Sequence, residues 1–105
     1  MRLLTSYDFN FVFCKPFKLE RSEMIILGRI NQLQYSRLGL SISKKNIKYA
    51  YQRNYLKRLI RESFRLSQHK IIGMDFVIIV KKNAIKLNIN MCKKMLEKVW
   101  YDYHK

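Results

Sequence analysis

The chain has 105 residues, with 22 Lys or Arg against 7 Asp or Glu and a formal net charge of +15. That length supports one domain with a single core, and 49% hydrophobic with 13% aromatic content excludes intrinsic disorder. The charge makes a polyanion the expected partner, nucleic acid ahead of an anionic membrane, and the apolar runs Met24–Leu27 and Phe76–Val80 are far too short to span a bilayer.

In chain order, the first expected element is a short helix begun by Thr5 as N-cap with Asp8 three residues on. It would carry Phe9, Val12 and Phe13 on one side and end at Lys15-Pro16. The opening residues have no long apolar stretch and no small-residue cleavage site, so no secretory signal is expected. Phe17–Glu23 reads as a loop or fraying strand and Met24–Asn31 as a strand. After polar, turn-like Gln32–Ser36, Arg37–Ser43 alternates: Leu38, Leu40 and Ile42 point one way, Arg37, Gly39, Ser41 and Ser43 the other. A basic helix is expected from about Tyr49 to Ser67, then a connector and the strand Met74–Lys82, whose continuous apolar run fits a central strand covered on both sides. A last helix, Asn88 to Tyr103, would face inward with Met91, Met95 and Val99 and keep Lys93, Lys94 and Lys98 elsewhere. The order α-β-β-α-β-α predicts an α+β domain, residues 1–105, with helices packed on a small sheet.

The stretch Ser43–Arg65 carries eight cations (Lys44, Lys45, Lys48, Arg53, Lys57, Arg58, Arg61 and Arg65) against one acid, Glu62. At about 100° per residue with Arg53 at zero, Arg53, Asn54, Lys57, Arg58, Arg61 and Arg65 fall between roughly zero and 140°. Leu56, Leu59, Ile60, Ser63 and Leu66 fall between roughly 220° and 340°, with Phe64 and Tyr55 near the two borders. A solvated helix ordinarily mixes signs to gain (i, i+4) pairs, whereas like charges at this spacing repel unless an anion neutralises them. Arginine predominates, and its planar fork suits bidentate phosphate contact.

Other residues read as structural. Cys14 and Cys92 are isolated and form no CxxC pair, so free thiols and a reducing cytoplasm are expected. His69 and His104 have no visible partner, Met91, Met95 and Trp100 read as packing residues, and Lys81-Lys82 and Lys93-Lys94 as solvated or peripheral nucleic-acid contacts. No paired carboxylates and no nucleophile–base constellation occur, so no protein-borne catalytic or metal site is expected.

The motif S-K-K, a short spacer, then R-N-x-x-K-R-x-x-R-E-x-F-R resembles the signature of the bacterial ribonuclease P protein subunit. LLTSYDFNFVF near the start resembles that family's opening L-x-x-x-x-x-F-x-x-V-F, and RLGLSIS and MDFVIIVKK flank the motif as they do in the family. The resemblance runs from about Leu3 to Trp100. Where the family usually reads R-N-R, this chain has Arg53-Asn54-Tyr55. A tyrosine there could stack on a base.

The resemblance implies a small α/β sandwich with a mixed sheet, similar to a domain found in some ribosomal proteins. In it the basic helix joins two parallel strands by a left-handed crossover, against the usual right-handed rule. It implies a ribonucleoprotein endonuclease that cuts precursor tRNA at the mature 5′ end, with the chemistry and the Mg²⁺ carried by the ribonuclease P RNA. Lys44, Lys45, Lys48, Arg53, Asn54, Lys57, Arg58, Arg61 and Arg65 would lie against that RNA, and Phe9 and Phe13 would line a cleft for the single-stranded 5′ leader. Some family members carry a further aromatic in the first strand, where this chain has Gly28. The implied partners are the catalytic RNA and precursor tRNA, with no membrane and no obligate protein partner. The competing readings are a general or ribosomal RNA-binding protein, a DNA-binding protein with its helix in the major groove, and a membrane-active cationic protein. Strands on both sides of the basic helix and the lack of a tight helix-turn-helix argue against the last two.

Overall fold

Residues 2–3, 12, 17–71, 73–86 and 88–103 are described by a computed structural model. Five strands form one sheet: β1 Arg2–Leu3, β2 Phe17–Glu20, β3 Met24–Ile30, β4 Arg37–Ser41 and β5 Met74–Val80. Their order is β1-β4-β5-β3-β2, with β4 parallel to both β1 and β5 and with β3 antiparallel to β5 and β2. Helix α1, Ala50–Ser67, connects the parallel pair β4 and β5, and α2, Ile89–Tyr101, follows β5. Two edge strands therefore extend the expected order. Phe17–Glu20, read as a loop or fraying strand, is paired along its length with β3. Of the expected N-terminal helix, Val12 is helical and buried; Phe9, Phe13 and Cys14 lie outside the described residues.

The alternation along the strands explains the layers. Met24, Ile26, Leu38, Phe76, Ile78 and Val80 point to the face covered by α1 and α2. Ile25, Leu27, Val77 and Ile79 point to the opposite face, where they pack with Val12. Covering on both sides is why β5 reads as an unbroken apolar run. Leu40 and Ile42 share the helix-covered side with Leu38, as the alternation requires.

The helix-covered core is built around aromatic edges. Phe64 and Phe76 each meet Trp100 at 5.4 Å between ring centres, and Phe76 meets Tyr103 at 4.8 Å, all close to edge-to-face. The Trp100 indole N–H donates to Ser63 Oγ at 2.9 Å and ties the two helices together. Asn88 caps α2 through its Oδ1, which accepts from the Met91 amide at 2.8 Å. The inward residues of α2 are Cys92, Leu96, Val99 and Trp100, so the expected stripe is rotated. Met91 is 52% exposed and Met95 only partly buried, because Trp100 beside Val99 draws the packed face toward itself.

Gly28 also proves to be a packing position. A Cβ there would stand 2.9 Å from Met74 Cε and 3.1 Å from a Phe76 ring carbon, on the helix-covered face. An aromatic at 28 would enter that core and not the opposite face, where its neighbours Leu27 and Arg29 point.

Candidate nucleic-acid interface

The approach to α1 is a braced lysine-bearing turn. The Asn46 amide donates to Ser43 Oγ at 3.1 Å, the Ile47 amide to the Ser43 carbonyl at 3.0 Å, and the Asn46 side chain to the Val80 carbonyl at 3.1 Å. Ile47 is fully buried beneath the turn, which leaves Lys44, Lys45 and Lys48 exposed around it. Arg53 holds this segment from the helix: one guanidinium nitrogen donates to the carbonyls of Ile47 at 2.9 Å and Lys48 at 2.8 Å. Arg53 thus positions the Lys44–Lys48 turn relative to the stripe.

The buried residues of α1 are Leu56, Ile60 and Phe64, four apart. On the helical wheel their centre lies at roughly 340°, about 60° from the middle of the sector the apolar residues mark out. The outward sector is therefore centred near roughly 160°. Arg58 and Arg65 are exposed there, Lys57 and Arg61 are half-buried along its flank, and Leu66, expected inside, is 58% exposed. Asn54, Lys57, Arg58, Arg61, Glu62 and Arg65 line one shallow, open depression on this face. Arg65 grips Glu62 with two hydrogen bonds, 2.6 and 3.1 Å, which hold the Glu62 carboxyl below its ordinary value. Arg61 Nε is buried and has no hydrogen-bond partner among the described residues.

The aromatic residues of this region were missed in the sequence except Tyr55. Tyr49 and Tyr51 stack, with ring centres 5.8 Å apart and planes 21° apart, and Lys48 Nζ lies 5.5 Å from the Tyr49 ring centre. Tyr51 sits at roughly 160° on the wheel, mid-face, and Tyr55 at roughly 200°. The signal that locates Tyr51 is its place opposite the Leu56, Ile60 and Phe64 stripe.

A second surface lies on the sheet face away from the helices. Ile25, Leu27, Val77 and Ile79 form an apolar cluster there with Val12, in which Leu27, Val77 and Val12 are buried and Ile25 and Ile79 half-buried. At one end Arg29 and Arg37 flank Asp75 across the three central strands. Asp75 is fully buried and accepts from Arg37 Nε at 2.8 Å, Arg37 Nη2 at 2.5 Å and the Asn31 amide at 2.8 Å. A buried carboxylate needs such complete pairing, and the pairing in turn orients Arg37 at the rim.

Among the described residues no three His, Cys, Asp or Glu side chains gather in one place. No helix of the described residues is long and apolar enough to cross a membrane. A cationic helix face with a braced lysine turn and an aromatic-bearing entry has the chemistry that suits polyphosphate and bases.

The family model for ribonuclease P matches residues 1–104. This chain belongs to the ribonuclease P protein family. It is 50% identical over 103 residues to the ribonuclease P protein component of Buchnera aphidicola subsp. Baizongia pistaciae, covering 98% of this chain and 90% of that protein. It is 46% identical over 100 residues to that of Escherichia coli O157:H7, covering 95% and 84%. The solved ribonuclease P protein of Thermotoga maritima superposes with a TM-score of 0.86 at 29% identity, over 100% of this chain and 99% of that one. That of Staphylococcus aureus superposes at 0.87 and 27% identity, over 96% and 93%. Membership implies a part in tRNA 5′ processing together with an RNA.

Proposed function

We propose that this chain is the subunit that binds ribonuclease P RNA through the outward face of α1 and the Lys44–Lys48 turn, and the 5′ leader of precursor tRNA on the far face of the sheet. The observation that carries the first part is the collection of Lys57, Arg58, Arg61 and Arg65 on one flank of α1 while Leu56, Ile60 and Phe64 anchor its back. The one acid among them, Glu62, is neutralised by Arg65, so the face stays net positive. Phosphate contacts there set register and affinity without reading sequence.

The leader reading rests on the family resemblance, which gives Phe9 and Phe13 to the leader cleft, and on the apolar cluster of Ile25, Leu27, Val77 and Ile79 on the sheet face away from α1 and α2. Apolar and aromatic walls accept unpaired bases with little sequence preference, which suits a protein that must take many leaders. Arg29 and Arg37 at the rim would meet the leader backbone.

Among the described residues no group of acids is placed to hold Mg²⁺. Mg²⁺ on a protein usually takes at least one free carboxylate, and the described acids are dispersed or engaged with cations, as Asp75 with Arg37, Glu62 with Arg65 and Glu20 with Lys81. In this reading the ion and the cleavage chemistry belong to the RNA, and the protein offsets repulsion between two RNAs, which lowers the Mg²⁺ needed.

The test is cleavage of a labelled precursor tRNA by a bacterial ribonuclease P RNA at low Mg²⁺, with and without this protein. Rescue of cleavage at the mature 5′ end, weakened in the Arg58→Ala, Arg61→Ala double variant, is the expected result. Binding of the RNA without any rescue, even with a cognate RNA, would replace this reading with that of a general RNA-binding protein.

A further inference from the structure

We infer that Tyr49, Tyr51 and Tyr55 form a stacking rail for unpaired bases of the RNA that α1 faces; the inference rests on the RNA-binding reading above. The buried stripe Leu56, Ile60 and Phe64 aims Tyr51 straight out of the protein, and its side chain is 70% exposed. Tyr49 is 51% exposed and Tyr55 37%, so none of the three holds the core. Large aromatic surface left in water at the entry of a cationic helix needs a use, because a charged side chain would serve solubility better.

The arrangement is already that of a platform. Tyr49 and Tyr51 lie nearly parallel, with ring centres 5.8 Å apart, so the outer ring is held in place before any base arrives. Tyr51 and Tyr55 are four residues apart on the helix and so are surface neighbours. Cations flank the rail on both sides: Lys48 beside the Tyr49 ring, and Arg58 one turn beyond Tyr55. Bases stacked on the rings would therefore place their phosphates within reach of positive charge. Every base has a π-face, so the rail selects unpaired nucleotides and not a sequence.

The experiment uses the full chain and two probes of equal length and backbone, a single-stranded oligoadenylate and its fully abasic counterpart. Wild-type protein is expected to favour the strand with bases by about tenfold. Tyr49→Ala with Tyr51→Ala should lower that preference several-fold, the remainder belonging to the leader face, and leave the salt dependence of binding unchanged. Tyr51→Trp should keep the preference and show fluorescence quenching on binding. Circular dichroism melting checks that the double variant is folded, as the exposure of both rings requires. If the double variant keeps the full preference, or the Tyr51→Trp signal is insensitive to bases, the stacking inference is overturned while the RNA-binding reading stands. If neither strand nor ribonuclease P RNA binds, both fall.

Discussion

Cys92 lies on the inward side of α2 with no exposed surface, and burial pushes its thiol from an ordinary 9.0 up to about 11. Its neutral form is the one the fold prefers. The stability that this preference contributes is complete below pH 9 and is lost as pH rises through about 11, since the unfolded chain then releases a proton that the folded chain keeps. Tyr103, raised to about 12 by burial and secondarily by the Asp102 charge, adds a similar loss at higher pH. Urea unfolding between pH 8 and 11 should show falling stability, and Cys92→Ala should flatten the part of the fall that belongs to the thiol. An equal slope in the variant would remove Cys92 as its source. In the folded protein the same thiol should resist alkylation at neutral pH, because the thiolate is the reactive form.

At the scale of the element, α1 does two jobs with one period. Leu56, Ile60 and Phe64 bury its back, and every residue rotated away from them is available to a ligand. Glu62 is the exception in charge on that face, and Arg65 is held to it. Glu62→Gln should release Arg65 and remove a negative charge that a phosphate would meet. The expected result is tighter RNA binding, by a few-fold, and a steeper salt dependence by up to about one phosphate contact. Filter binding across a salt series checks both, and weaker binding would mean that the Arg65–Glu62 pair is itself the recognising unit.

The whole molecule carries +15 on a body of 36 × 27 × 22 Å. Self-repulsion at that charge density destabilises the fold, and salt screens it. RNA binding responds in the opposite sense, because phosphate neutralisation releases counterions. Raising salt should therefore increase the melting temperature of the free protein while lowering its affinity for ribonuclease P RNA. Four to six phosphate contacts from α1 and its entry turn would give a log–log slope of about −3 to −5. A slope near zero would exclude the cationic face as the binding surface. The two trends are read in one titration series, by calorimetry and by filter binding.

The local periods were legible in the chain before any fold was known. Alternation in Arg37–Ser43, the unbroken run of β5 and the one-sided charge of Ser43–Arg65 each reflect a repeat set by backbone geometry. The family motif was legible as a resemblance, carried by the residues of Ser43–Arg65 and the strands that flank them. Tertiary packing decided the rest. Phe64 lies on the wheel beside Arg53 and Lys57, but the sheet beneath, with Phe76 and Trp100, draws it fully inside and turns the helix. That rotation sends Arg53 toward the loop carbonyls, exposes Leu66 and brings Tyr51 to the centre of the outward face. Gly28 likewise could be placed on the helix-covered side only once the register with Phe76 was known. Sequence periodicity determines that a helix has two faces, but the contact that buries the most surface selects where the boundary between them falls.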